Sequence, residues 1–386
     1  MKIQVASQVA AQVAAQVAAQ VAAQVAVQVA PLREQVAELQ ASEEKNRGLF
    51  KDMLLAAARS GDAAMVESLL QHTSLPVDYA ALANGATLSI EGSKFGHVEV
   101  VEALLKLGAG VDSATTDEGM TALHMAASHG HVGAVGVLLG DGAEVDKACV
   151  TDGTTPLHIA TEEGDVHVVK LLLDGGAAVD RACTNGLTPL YIASQDGNVK
   201  IVSALLDKGA DVNNADSGNE KTPLYAAAQA GHVAVVEVLL GREAEVDKVC
   251  THMAATAMFV AAEAGCDKVV TMLLERGADV DKTCTANEAS PLYIASQNGH
   301  VGVVKVLLGK GAEVNKALKP NGMTALQTAA SAGHIAVVEA LLVKGADANM
   351  LCQFSSTQLG RTALQVATRR GHLAIVEILT QHTAGN

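Results

Sequence analysis

TPLHIATEEGDVHVVKLLLDGGAAVD, Thr155 to Asp180, is followed at once by its near copy TPLYIASQDGNVKIVSALLDKGADVN, Thr188 to Asn213. A third version, TPLYAAAQAGHVAVVEVLL, Thr222 to Leu240, shows most plainly what such a unit encodes. The hydroxyl of Thr222 is suited to cap a helix, and Pro223 falls in the first turn, where its missing N–H is no loss. Leu224 and Ala227 then lie on one side of a short helix, and Gly231 supplies the left-handed residue that stops it. A second helix follows, with Val235, Val236, Val238, Leu239 and Leu240 forming a broad apolar face, and GREAEVD closes the unit in a turn. Each helix is too short to be stable alone, so the unit needs neighbours.

Working outward, the glycine after the first helix recurs at Gly61, Gly96, Gly130, Gly164, Gly197, Gly231, Gly265, Gly299, Gly333 and Gly371. Successive spacings are 35, 34, 34, 33, 34, 34, 34, 34 and 38 residues. A period in this range predicts a solenoid whose units bury their apolar faces on one another. Composition agrees: 49% of the 386 residues are apolar, yet there are only four Phe, four Tyr and no Trp, so the core must be close-packed Ala, Val and Leu.

The order TPLH, GH or GD, VV, LL, GADVN resembles the ankyrin repeat family, over roughly Leu49 to Asn386. The resemblance implies an all-α ankyrin-repeat solenoid: helix–turn–helix units joined by hairpin-like fingers and stacked into a curved array. Most units exceed the usual 33 residues by one, which falls between the GA turn and the next TPL and lengthens the fingers slightly. The first unit, Asp52 to Gln71, lacks TPLH and is expected to act as a cap. The second (ATLSIEGSKFGH) and seventh (TAMFVAAEAGCD) depart from the pattern and are expected to be looser, and the last carries a longer finger within Cys352 to Leu364.

Three segments are expected. Residues 1–30 form a low-complexity arm of QVAA repeats, read as a frayed helix with sheet-type self-association as its hazard. Residues 31–48 form a short amphipathic helix and linker, with Leu32, Val36 and Leu39 at helical spacing and a boundary at Asn46-Arg47-Gly48. Residues 49–386 are the repeat domain, about ten units with the first and last as caps.

A net charge of −15, with no cationic run longer than Arg369-Arg370, argues against nucleic-acid binding. No apolar run is long enough to cross a membrane, since Gln interrupts the Val/Ala tract at every fourth position. Six cysteines without a CxxC, and no secretory leader, point to a reducing, cytoplasmic setting, with the nucleus open. Five of them (Cys149, Cys183, Cys250, Cys284 and Cys352) recur in phase at the start of a unit, about 10 Å apart once stacked and so too distant for disulfides. No GxxxxGK[ST], HExxH or GxSxG occurs, and His124, His129 and His131 read as framework residues rather than a metal site. No cofactor, metal or catalytic residue is expected.

The positions the framework leaves variable are therefore the functional candidates. They are Ser128, His129, Glu162, Glu163, Gln195, Asp196 and Gln229 before the glycines, and Asp117, Glu118, Asp152, Asn185 and Asn219 on the fingers. In ankyrin relatives such positions share the concave side, and solvated polar residues are their plain alternative. The expected function is a non-enzymatic scaffold or adaptor that binds another protein carrying a basic segment. The alternatives are a regulatory or targeting subunit of a ligase- or phosphatase-type complex, and a structural protein self-associating through residues 1–30.

Overall fold

In the computed structural model, residues 45–384 are described, except 74, 252, 285–287, 320 and 353–359. The QVAA arm, the amphipathic segment up to residue 44, and most of the expected last finger lie outside the described residues.

Twenty helices account for the regular structure of the described residues, and no strand occurs among them. The first helix of each unit is α1 (45–60), α3 (Leu88–Lys94), α5 (Ala122–Ser128), α7 (Pro156–Glu162), α9 (Pro189–Gln195), α11 (Pro223–Ala230), α13 (Ala257–Ala264), α15 (Pro291–Asn298), α17 (Ala325–Ala332) and α19 (Ala363–Arg370). The second is α2 (Ala63–His72), α4 (Val98–Lys106), α6 (Val132–Gly140), α8 (Val166–Asp174), α10 (Val199–Asp207), α12 (Val233–Gly241), α14 (Asp267–Glu275), α16 (Val301–Gly309), α18 (Ile335–Val343) and α20 (Leu373–Ala384). First helices pack in one row and second helices in another, each on its partner and on its counterparts in the flanking units.

The capping chemistry is the one the sequence encodes. The hydroxyl of Thr222 accepts the Tyr225 N–H at 3.1 Å, and Thr188, Thr256 and Ser290 cap their helices in the same way. Gly231 ends α11 at φ +76°, a conformation that side chains with a Cβ rarely adopt. Val235, Val236, Leu239 and Leu240 of α12 are buried. One apolar core runs without interruption from Ala86 to Leu379, and a smaller one centred on Leu54, Val66 and Leu104 underlies the first two units.

Three expectations need correction. The boundary at Asn46-Arg47-Gly48 is helix instead, since α1 runs unbroken from 45 to 60. The second unit is not loose: all of Leu88 to Ser93 is buried, and Glu91, at a position where every other unit but the ninth places an apolar residue, accepts a hydrogen bond from Arg59 Nε at 2.7 Å. The seventh is equally well packed, with Ala257 to Ala262 all buried, because Met258 and Phe259 fill the places of the usual Leu and His or Tyr.

Candidate protein-binding surface

Two ladders of hydrogen bonds fix how one unit sits on the next. The histidine after the glycine reaches back: Nε2 of His131 meets the carbonyl of Lys94 at 3.1 Å, and His97, His232, His300, His334 and His372 do the same to Arg59, Gln195, Glu263, Gln297 and Ser331. The Asp or Asn near the end of each unit reaches forward. Asp112 accepts the Glu144 N–H at 3.0 Å, and Asp78, Asp146, Asp180, Asn213, Asp247, Asp281 and Asn315 accept from the equivalent N–H one unit on. The TPLH histidines are likewise framework. Nδ1 of His124 and of His158 accepts the N–H of Thr121 and of Thr155, so the ring proton sits on Nε2, and that of His158 is donated to Leu187 O at 3.2 Å. His124 and His131 thus serve the backbone of their own and the preceding unit.

These ladders sort the candidate residues. Ser128, Glu162 and Gln195 are the last residues of α5, α7 and α9, with His129, Glu163 and Asp196 immediately after them, and Gln229 stands one residue before the end of α11. All seven therefore gather at the C-terminal ends of adjacent first helices, and all but the half-buried Ser128 are exposed. His129 bonds back to Met125 O through Nδ1 at 3.0 Å. Glu162 and Glu163 have no ion-pair partner among the described residues. They stand where the carbonyls of α7 already present partial negative charge, so a cation is favoured there. Partial burial raises the Asp196 carboxyl above the usual carboxylate range, against the pull of nearby His232.

The finger candidates are less free than their variability suggests. Asp117 Oδ1 accepts the Glu118 N–H at 2.8 Å, and this bond, with a further one from Thr115, holds its carboxyl below the ordinary value. Asp152 Oδ1 accepts from Thr154 N, Asn185 Oδ1 from Leu187 N and from the Cys183 thiol, and Asn219 N donates to Asp216 Oδ1. These side chains close their own turns, the ordinary habit of Asp and Asn in a tight loop. The carbonyls of Glu118, Asp152 and Asn219 also accept the N–H of Val150, Thr184 and Thr251, which ties each finger to the next. His252 and Asn287, on the fingers of the seventh and eighth units, lie outside the described residues.

Sequence reasoning missed Lys94 and Phe95, which occupy the same two positions in the second unit and are exposed. Their signal is SKFGH, in which they take the two places before Gly96. The six cysteines form no disulfide among the described residues, and burial pushes the Cys149 thiol up to about 11 and raises those of Cys266 and Cys352, which keeps these three from acting as nucleophiles.

A stack of two-helix units with a framework face and a variable face is a repeat solenoid of the kind that presents surface to other molecules. A family model for ankyrin repeats matches residues 53–149, 142–216, 213–284, 250–317 and 292–386, and the chain belongs to the ankyrin repeat family. It is similar to the crystal structure of the human ASB11 ankyrin repeat domain, at 29% identity and a TM-score of 0.52, over 59% of this chain and 99% of that one. No curated protein matches the chain. With 560 chains of solved structures matching, the fold does not select one partner. Ankyrin repeats are generally protein-interaction modules and are typically not catalytic, and no described helix is long and apolar enough to cross a membrane.

Proposed function

We propose that the array is a non-enzymatic scaffold whose row of first-helix C-termini binds a partner protein through a basic segment of that partner. The observation that carries this reading is the pair Glu162 and Glu163. Both are exposed, both lack an ion-pair partner among the described residues, and both lie at a helix C-terminus, one unit from Asp196. Such charges steer a basic segment and fix its register more than they tighten it. Ser128, His129, Gln195 and Gln229 flank the pair, while Asp117, Glu118, Asp152, Asn185 and Asn219 line the adjoining fingers, whose ladders hold them in place. A reducing, cytoplasmic setting belongs to the same proposal, supported by six cysteines that form no disulfide among the described residues.

The test begins with affinity capture on the repeat array and mass spectrometry of what is retained. Reversing both Glu162 and Glu163 to Lys should then weaken binding of the captured partner by about 1 kcal/mol or more, with the melting temperature nearly unchanged. Intact affinity in that variant, with loss on changing the second-helix residue Lys170, would place the interface on the other face.

A further inference from the structure

Of the four phenylalanines in the chain, Phe95 stands in the variable row, one residue beyond α3, with 45% of its surface exposed. Its ring stacks on His97, with centroids 6.3 Å apart and planes inclined by 18°. One unit on, at the equivalent position, His129 stacks on His131 at 6.0 Å and 12°. The two pairs are joined. The His131 ring bonds to Lys94 O and lies over Gly96 so closely that a Cβ there would come within 2.5 Å of Nδ1. His97, His129 and His131 are each tied to a main-chain carbonyl, at 2.9, 3.0 and 3.1 Å. The rings therefore have little rotamer freedom left to lose when something covers them. In the other units the position holds Ser60, Glu163, Asp196, Ala230, Ala264, Asn298, Ala332 and Arg370, so this ledge is confined to the second and third units.

We propose that this ledge anchors an apolar residue of the same partner segment whose basic residues pair with Glu162, Glu163 and Asp196. The inference rests on the reading above and adds the partner's pattern. Rigid aromatic rings beside a charged rim are the usual form of an energetic anchor. Units stack about 10 Å apart, and a chain in the polyproline II conformation advances about 3.1 Å per residue with three residues per turn, so every third side chain points to the array and meets one successive unit. The partner is then an extended segment with two apolar residues followed by two basic ones, each three positions apart. Lys94, exposed beside Phe95, repels a cation at the ledge and so fixes which end of the segment lies there.

The experiment uses the full chain and fluorescein-labelled synthetic peptides of Gly, Ser and Gln carrying Leu, Leu, Arg and Arg at every third position, in both chain directions. A matched set has Ser in place of Leu. Fluorescence anisotropy should show one Leu-bearing peptide bound at least fivefold more tightly than its Ser-bearing match. The combined change Phe95→Ala and His129→Ala should abolish that preference, bringing the Kd of the Leu-bearing peptide to within about twofold of its Ser-bearing match in the same variant, and Phe95→Leu should keep it. Circular dichroism should show all variants equally folded. A preference that survives the double change, or Leu-bearing peptides that fail to bind below 1 mM, would overturn the ledge. The acidic groove is read separately: Glu162→Lys with Glu163→Lys should weaken both peptides, and if that holds while the ledge variants change nothing, only the ledge is wrong.

Discussion

His124 and His158 carry the clearest pH dependence in the molecule. Both are buried, and burial pushes both below the ordinary histidine value of 6.5, in spite of nearby carbonyls and of Asp152, which favour the proton; Arg181 opposes it at His158. The folded state therefore binds fewer protons than the unfolded chain as pH falls past 6.5. Stability is fully present above that value and declines as pH falls from there toward the lowered folded pKa. In the ninth and tenth units the same place is held by Gln327 and Gln365, whose Oε1 accepts the N–H of Thr324 and Thr362 at 2.8 and 3.1 Å. The double change His124→Gln and His158→Gln should thus keep the cap and flatten the loss of stability that sets in as pH falls below about 6.5, read as urea midpoints at each pH. The cap residues were legible in the sequence, because Thr before Pro and a residue three on has a local chemistry. The turn-closing duty of Asp117 and Asp152 was not, since a polar residue in a finger looks the same whether it faces its own backbone or a partner.

At the scale of the element, the fingers and inter-helix turns require left-handed backbone at fixed points. Fingers of the third, fourth, fifth and ninth units meet it with Gly119, Gly153, Gly186 and Gly322, but Glu220, Ala254 and Glu288 stand at the equivalent points with φ of +55°, +46° and +55°. Glu243, at +65°, likewise replaces the glycine that other units place after the second helix, as at Gly209 and Gly277. A Cβ in this region costs roughly 1–2 kcal/mol, partly offset by the greater freedom of glycine in the unfolded chain. Ala254→Gly and Glu243→Gly should therefore each raise stability by about 0.5–1 kcal/mol, seen as a higher denaturant midpoint at unchanged slope. An unchanged or lower midpoint would mean that the neighbouring turn relieves the strain. Helix type and spacing were readable because 34-residue periodicity repeats the same apolar faces ten times over. The second and seventh units lack the motif's letters without being loose, because Met258, Phe259 and the Glu91–Arg59 pair satisfy the same volume and hydrogen-bonding needs by other means.

Across the whole molecule, the repeat array is expected to hold its fold without what precedes α1. Because that helix is already present at residue 45, a chain beginning there, rather than at 49, is the one that should melt cooperatively at the temperature of the full chain. A clear drop in its melting temperature would show that residues 1–44 take part in the core. The two ladders carry a further consequence. Each rung joins one fixed position of a unit to another fixed position of the neighbouring unit, so the molecule has something like a reading frame, with the unit as its codon. Removing the 34 residues 188–221 leaves Leu187 followed by Thr222, and brings the Glu245 N–H to Asp180 and the His232 ring to Glu162 O, the same kinds of rung as before. That shortened chain should fold as a monodisperse array one unit smaller. Cutting out about half as many residues should give an aggregating or unfolded product by light scattering, because the rungs that span the cut would face the wrong partner and half a unit would leave its neighbours' apolar faces uncovered. Length in this protein can be edited in whole units, and the place of the edit matters less than its phase.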